Sequence, residues 1–441
     1  MRNSISIGLL TCFLLVGCSG NEAENTESDA ASKDPAKKSQ NDSKQEIKLD
    51  PQLVMKQVQA LYKEGNYREA FPLLNKLHIA KVCPAEGYAL RAQILDHSGL
   101  TGEAIASLML ALKQERDRSD WHNMLGLLLV KGKNISMAQQ AFSKAVELDP
   151  KNAKAYNNRG LMYITMQEFG TAINDFNAAI QASPEYIDAY NNRGYAYLEQ
   201  GSYTKAIKDF THSISLNSEY VKGYNNRGFA LMKMGNAEQA IEDFTAAIEL
   251  SPNTVKHYLH RRDAWLVLED QAEADKDMKL AQWVQGLLLI TRKMSRDIEN
   301  PALFIERAKH YTAAKKYDKA LEDISQAIKR DVNFLAAYNA RAQLHFDRKE
   351  YQPAIDQCTK ALGISENFEA RSRRGDAYLA LGKIDDAIAD FQTAERIDQE
   401  VANAFWKRSE IKSEQGDKAG AQSDRETALK LDPNIEKNII K

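Results

Sequence analysis

The sequence predicts an all-α protein built as a stack of about eleven helix pairs in two blocks, and three observations carry that expectation. Tyr156, Tyr190, Tyr224 and Tyr258 recur 34 residues apart, as do Arg159, Arg193, Arg227 and Arg261. A fixed period of that size marks stacked supersecondary units rather than one globular core. Within 153–186, Tyr156, Gly160 and Tyr163 share one helical face and Ala172, Phe176 and Ala179 share another, while Pro184 closes the second helix. The composition of the 441 residues suits amphipathic helices: 27% charged, 43% hydrophobic and only 10 prolines.

Counted within a repeat, those residues occupy local positions 4, 8, 11, 20, 24, 27 and 32. Small residues at 8, 20 and 27 let the two helices approach, and aromatics at 4, 11 and 24 fill the space between turns. A glycine inside a helix costs about 1 kcal/mol relative to alanine, so Gly126, Gly160, Gly194 and Gly228 imply an offsetting gain in packing. Pro150, Pro184 and Pro252 each end a second helix. Extended backwards, the frame gives units starting at 51, 85 and 119, marked by Ala70, Ala104 and Ala138. Extended forwards, it keeps Tyr258, Ala274 and Ala281, so the first block runs over 51–288 with seven repeats. The phase then slips by twelve residues, which makes 289–300 a helical linker or insertion that lengthens a helix or bends the stack. Units at 301, 335, 368 and 402, with one residue deleted before 368, form a second block of four repeats over 301–435, leaving 436–441 as the C-terminal end.

These positions resemble the tetratricopeptide-repeat pattern over nearly all of 51–435. The resemblance implies a right-handed α-solenoid whose first helices line a concave groove through local positions 2, 5, 6, 9, 12 and 13. It also implies a protein that holds other proteins. Because this fold serves many unrelated partners, the client is not given by the family.

The N-terminus carries Arg2, an apolar stretch from Ile5 to Val16, and Leu15-Val16-Gly17-Cys18. About 12 apolar residues are too few to span a bilayer as a helix. The run resembles a bacterial lipoprotein signal peptide, which implies a leader over 1–17 and lipidation of Cys18. Ser19 in that resemblance favours the outer membrane of a two-membrane cell, and the protein is expected in the cell envelope, facing the periplasm or the exterior. Residues 19–50 are almost free of large apolar side chains and are expected to be a disordered tether with a reach of roughly 30 Å.

Several function classes find no support. The formal net charge is −2, which gives no electrostatic footprint for nucleic acid. There is no glycine-rich phosphate loop, no HExxH and no paired cysteines at metal spacing, so neither a cofactor nor an enzyme is expected. His257 and His260 lie three apart on one helix but lack a third ligand. Cys358 sits at local position 24, the place of a core side chain.

Two ladders remain. Local position 7 is arginine at 159, 193, 227, 261, 307, 341, 374 and 408, and position 23 is aspartate at 175, 209, 243, 277, 323, 390 and 424. Pairing within each repeat leaves the fewest orphans, so Arg159 is expected to meet Asp175, and likewise along the array. Asn157, Asn158, Asn191, Asn192, Asn225 and Asn226 fill positions 5 and 6 of three successive units, beside Tyr195 and Phe229. Amides donate to and accept from a peptide backbone and aromatics add contact area, so these residues with Lys256 form the expected site for an extended peptide segment. A carboxylate clamp of the family type needs arginine where His260 follows Asn226 and Lys256, so capture of a chain terminus is not expected. In the second block Arg373 and Lys407 share a face with Asp347, Asp376, Glu410 and Glu414, a mixed-charge surface.

The function expected from the sequence is therefore a membrane-anchored scaffold or adaptor of the bacterial envelope, binding proteins or extended peptides. The alternative is a pilotin-like assembly factor for a pilus, secretion or outer-membrane complex. The short C-terminal end leaves self-association open.

Overall fold

The computed structural model describes residues 50–436; the expected leader over 1–17, Cys18, the expected tether before Asp50 and the chain beyond Glu436 lie outside the described residues. Among the described residues every regular element is a helix, and the helices α1 to α22 make successive pairs. The chain divides into two compact units, one reaching Pro252 and including Asp263–Asp270, the other comprising Asn253–Arg262 and everything from Gln271.

The first unit contains α1 (Pro51–Lys63) and α2 (Tyr67–Ile79), α3 (Ala85–His97) and α4 (Thr101–Gln114), α5 (Ser119–Lys131) and α6 (Ile135–Leu148). It continues with α7 (Ala153–Thr165) and α8 (Phe169–Ala182), α9 (Ile187–Glu199) and α10 (Tyr203–Leu216), α11 (Val221–Lys233) and α12 (Ala237–Leu250). Each pair reverses direction within three residues, and the residue at local position 15 takes the left-handed conformation that such a reversal demands. It is glycine at 65, 99, 201, 235, 382 and 416, but Lys133, Gln167, Glu269, Lys315 and Lys349 adopt the same geometry. At Gly201 the turn is closed by the amide of Gly201 donating to the Leu198 carbonyl at 2.9 Å and that of Ser202 to Tyr197 at 2.8 Å.

The reason for glycine at local position 8 is visible in the helix crossing. Phe142, Phe176 and Phe210 at position 24 are fully buried, and their rings lie where a Cβ on Gly126, Gly160 or Gly194 would project, within 2.5, 2.6 and 2.7 Å respectively. Ala172, Ala206 and Ala240 at position 20 are also fully buried.

The arginine–aspartate ladder forms within repeats as expected. In the first unit Arg193 donates Nε to Asp209 Oδ2 and Nη2 to Oδ1, both at 2.7 Å, and Arg159–Asp175 and Arg227–Asp243 repeat that fork. These hydrogen bonds raise the arginine pKa values, although burial pulls the other way. A third contact was not foreseen from the sequence. Nη1 of the same arginines reaches the preceding repeat, at Ser143 from Arg159, Asn177 from Arg193 and Thr211 from Arg227. The clamp of one repeat is thus also a staple to its neighbour.

Helix α13 (Val255–Val267) is divided between the units. The second unit continues with α14 (Gln271–Arg296), α15 (Pro301–Ala313) and α16 (Tyr317–Arg330), α17 (Leu335–Asp347) and α18 (Tyr351–Ile364), α19 (Phe368–Ala380) and α20 (Ile384–Thr393), and α21 (Gln399–Glu414) and α22 (Lys418–Leu431). The segment 289–300 carries α14 to 26 residues. Its added turns bury Ile290 and Met294 against Phe304 and Ile305 of α15. Asn300 caps α15 by accepting from the Ala302 amide at 3.0 Å. The clamp recurs in this unit at Arg261–Asp277, Arg307–Asp323, Arg374–Asp390 and Arg408–Asp424.

Candidate functional site: the first-helix face of the first unit

Helices α5, α7, α9 and α11 lie side by side in the first unit, and the asparagines meet along that contact. Asn192 Nδ2 donates to Asn157 Oδ1 at 2.9 Å, and Asn226 Nδ2 donates to Asn191 Oδ1 at 3.0 Å. Asn158 Nδ2 donates in the same way to Asn123 Oδ1 at 2.9 Å. Each rung therefore joins position 6 of one repeat to position 5 of the repeat before it. Asn123 is a member that sequence reasoning missed. Its signal was an asparagine at position 5 of the unit starting at 119, obscured because Met124 rather than asparagine follows it.

This geometry separates the two halves of the asparagine ladder. Asn157, Asn191 and Asn225 are only 3, 4 and 8% exposed. The physical reason is rotation: adjacent helical residues point about 100° apart, so position 5 turns into the neighbouring first helix when position 6 faces outward. Asn158, Asn192 and Asn226 are half-buried. An amide carries two N–H bonds, and the rung uses one of those on each of these residues.

Beside the rungs, local position 9 holds Leu127, Leu161, Tyr195 and Phe229 in four successive repeats. Leu127 is 46% exposed, while Leu161, Tyr195 and Phe229 are half-buried. Phe229 rests edge-on against the core ring of Phe244, with centroids 5.7 Å apart. Burial and then the Glu199 carboxylate push the Tyr195 phenol up to about 12, so it stays a neutral hydroxyl. The face is therefore an apolar strip bordered by amides, suited to apolar side chains and main-chain polar groups.

Lys256 is exposed on α13, in the part of that helix that belongs to the second unit. Burial, with help from His257, Lys256 and Arg262, holds the His260 imidazole down to about 4. A neutral ring there cannot supply the positive charge of a clamp arginine. Among the described residues no group of three or more His, Cys, Asp or Glu is placed to hold a metal ion. No helix among them is long and apolar enough to cross a membrane.

Helix pairs clamped by an internal ion pair and stapled to their neighbours by amide rungs define a helical-repeat array. Tetratricopeptide-repeat models match residues 122–152, 141–174, 221–254 and 305–367, and a TPR-repeat model matches 160–201, 194–235 and 375–416. The chain belongs to the tetratricopeptide-repeat family. It is similar to the solved structure of a tetratricopeptide repeat protein from Parabacteroides merdae, with 20% identity, TM-score 0.40, and coverage of 58% of this chain and 96% of that one. It is similar also to PilW, a widely conserved type IV pilus biogenesis factor, at 18% identity, TM-score 0.42, and coverage of 45% and 92%. For PilF of Pseudomonas aeruginosa the values are 20% identity, TM-score 0.36, and coverage of 51% and 97%. No curated protein matches the chain in sequence.

Proposed function

We propose that this protein is a lipid-anchored scaffold of the bacterial envelope that holds a segment of a client protein along the first-helix face of its first unit. The observation that carries the reading is the strip of Leu127, Leu161, Tyr195 and Phe229, continuous over four repeats and flanked by half-buried asparagine amides. Aromatic anchors dominate such interfaces, with truncation costing above 1 kcal/mol at the residues that matter. The position 5 asparagines hold the repeats in register, and the position 6 asparagines serve both the rung and the client.

Capture from detergent-solubilised native envelope tests the groove, using the full chain as bait. Tyr195→Ala with Phe229→Ala is expected to reduce recovery of the client by about tenfold or more. Asn157→Ala, which weakens a rung but leaves the strip in place, is the control and should retain the client. A client kept by the double variant places the binding surface elsewhere. The identity of what is captured separates a soluble adaptor client from a component of a pilus or secretion complex.

The anchor is tested separately by fractionation. Lipid chains gain about 0.8 kcal/mol per buried methylene, so the wild type is expected in the membrane pellet and Cys18→Ala in the soluble fraction. A Cys18→Ala protein that still sediments with membranes removes lipidation of Cys18 from the account.

A further inference from the structure

Where the second helices α8, α10 and α12 stop after 14 residues, α14 runs on to 26. One face of the added length has a structural reason: Leu287, Ile290 and Met294 are buried, the last two against Phe304 and Ile305 of α15. The opposite face has none. Leu288 is 45% exposed and Leu289 59%, and Arg292, Lys293 and Arg296 are exposed on the two turns that follow. From Met278 to Arg296 the helix carries four basic residues and no acid. A single exposed leucine is ordinary; an adjacent pair bordered by cations is the pattern of an interfacial helix.

Helix α15 and the turn after it extend the charge. Trp283 Nε1 donates to the His310 carbonyl at 3.2 Å, the two rings stack with centroids 5.2 Å apart, and Lys293 pairs with Glu306 at 2.8 Å. Exposed Lys309 falls between those two contacts on α15. Lys316 Nζ, in the turn before α16, stands 4.0 Å over the Trp283 ring, with Lys315 and Lys319 exposed beside it in the chain. The platform is tightly packed, since a Cβ on Gly286 would lie 2.8 Å from His310 Cε1.

Residues 278–323 hold nine Lys or Arg against six Asp or Glu, a surplus of three positive charges in a chain whose net charge is −2. Of the six acids, Glu306 is held by Lys293, Asp323 is clamped by Arg307 and Glu299 lies 3.9 Å from Arg330; Asp297, Asp318 and Glu322 complete the set.

We propose that the exposed face of α14, with Lys309 and the lysines of the α15–α16 turn, is a docking surface for an anionic phospholipid bilayer. Leu288 and Leu289 enter between the headgroups while Arg292, Arg296, Lys309 and the turn lysines meet lipid phosphates. An acidic peptide would satisfy the cations and leave the leucines without a role; a bilayer takes both, charge at headgroup level and apolar side chains beneath it. In a lipid-anchored chain the bilayer is always within reach, so a weak face suffices. The inference rests on the anchor reading for that proximity alone.

The test puts the photoreactive residue benzoylphenylalanine in place of Leu289 in the full chain, in vesicles of phosphatidylcholine with or without phosphatidylglycerol. Crosslinks to lipid are read by mass spectrometry. The same residue in place of Ile79, exposed in the first unit, measures whatever contact an anchor alone produces. Crosslinks at 289 are expected to require phosphatidylglycerol and to exceed those at 79. With Arg292→Gln and Lys309→Gln they are expected to fall about thirtyfold, since each basic residue near an anionic surface contributes about 1 kcal/mol. Both side chains are exposed, so the packed face of α14 is left as it is. Equal yields in the two kinds of vesicle, equal yields at 79 and 289, or yields that the double variant leaves unchanged overturn the proposal. So does transfer of the crosslink from lipid to an added polyglutamate peptide, which assigns the face to an acidic protein segment. Should the residue at 289 disturb α14, the same residue in place of Leu288 gives the reading. Failure of the Cys18 anchor would appear in fractionation and not here, because the vesicles are supplied directly.

Discussion

Phe210→Ala is expected to destabilise the protein by about 3–5 kcal/mol, the range for removing a fully buried aromatic side chain. Phe210 is wholly buried where α9 crosses α10, and its ring occupies the space that Gly194 leaves by having no side chain. The partner substitution has a sign that separates packing from propensity. Alanine is favoured over glycine in a helix by about 1 kcal/mol, yet a Cβ on Gly194 would lie 2.7 Å from Phe210 Cε1. Gly194→Ala is therefore expected to destabilise, and to do so less when Phe210 is leucine. The stability of a repeat array is a sum over units and interfaces, so amide exchange of α9 and α10 is the appropriate measurement alongside urea denaturation. A Gly194→Ala protein more stable than wild type would show that the crossing has room to spare.

Asp209→Ala is expected to cost about 3 kcal/mol, because it leaves the Arg193 guanidinium without its carboxylate. The Arg193 side chain is 19% accessible and that of Asp209 only 7%. Water can therefore reach the orphaned arginine in part, which keeps the cost at the low end for a broken buried pair. Arg193 would still donate to Asn177. Replacing both partners, with Arg193→Met and Asp209→Leu, is expected to cost far less than the sum of the single changes, since no charge is left unpaired. A double-mutant cycle measures the difference, and additive single effects would show that the fork contributes no coupling.

Much of this was legible in the amino-acid order because the signals repeat. Tyrosine and arginine at a 34-residue period define the helix pairs, and the co-occurrence of Arg159 with Asp175 along the array is enough to identify the clamp. The left-handed turn was legible only in part. Gly201 and Gly235 announce it, whereas Lys133, Gln167 and Lys315 adopt the same geometry under the constraint of a three-residue reversal between helices that must pack. Gln357 and Cys358 also stand out in the sequence, in place of aspartate and phenylalanine, but a single departure from a repeat has no meaning until its neighbours are in place.

The repeat, its small and large crossing residues and the within-repeat ion pairs follow from the amino-acid order, because each depends on residues a fixed distance apart on one or two adjoining helices. The two asparagine positions are told apart only once the repeats are packed together. Whether position 5 or position 6 faces outward is a matter of how far each first helix is rotated against the next, a quantity set by packing between repeats and not by spacing within one. That rotation buries Asn157 and Asn191 as rungs and leaves Asn158 and Asn192 half-buried at the surface, beside Tyr195 and Phe229, the strip proposed above to hold a client.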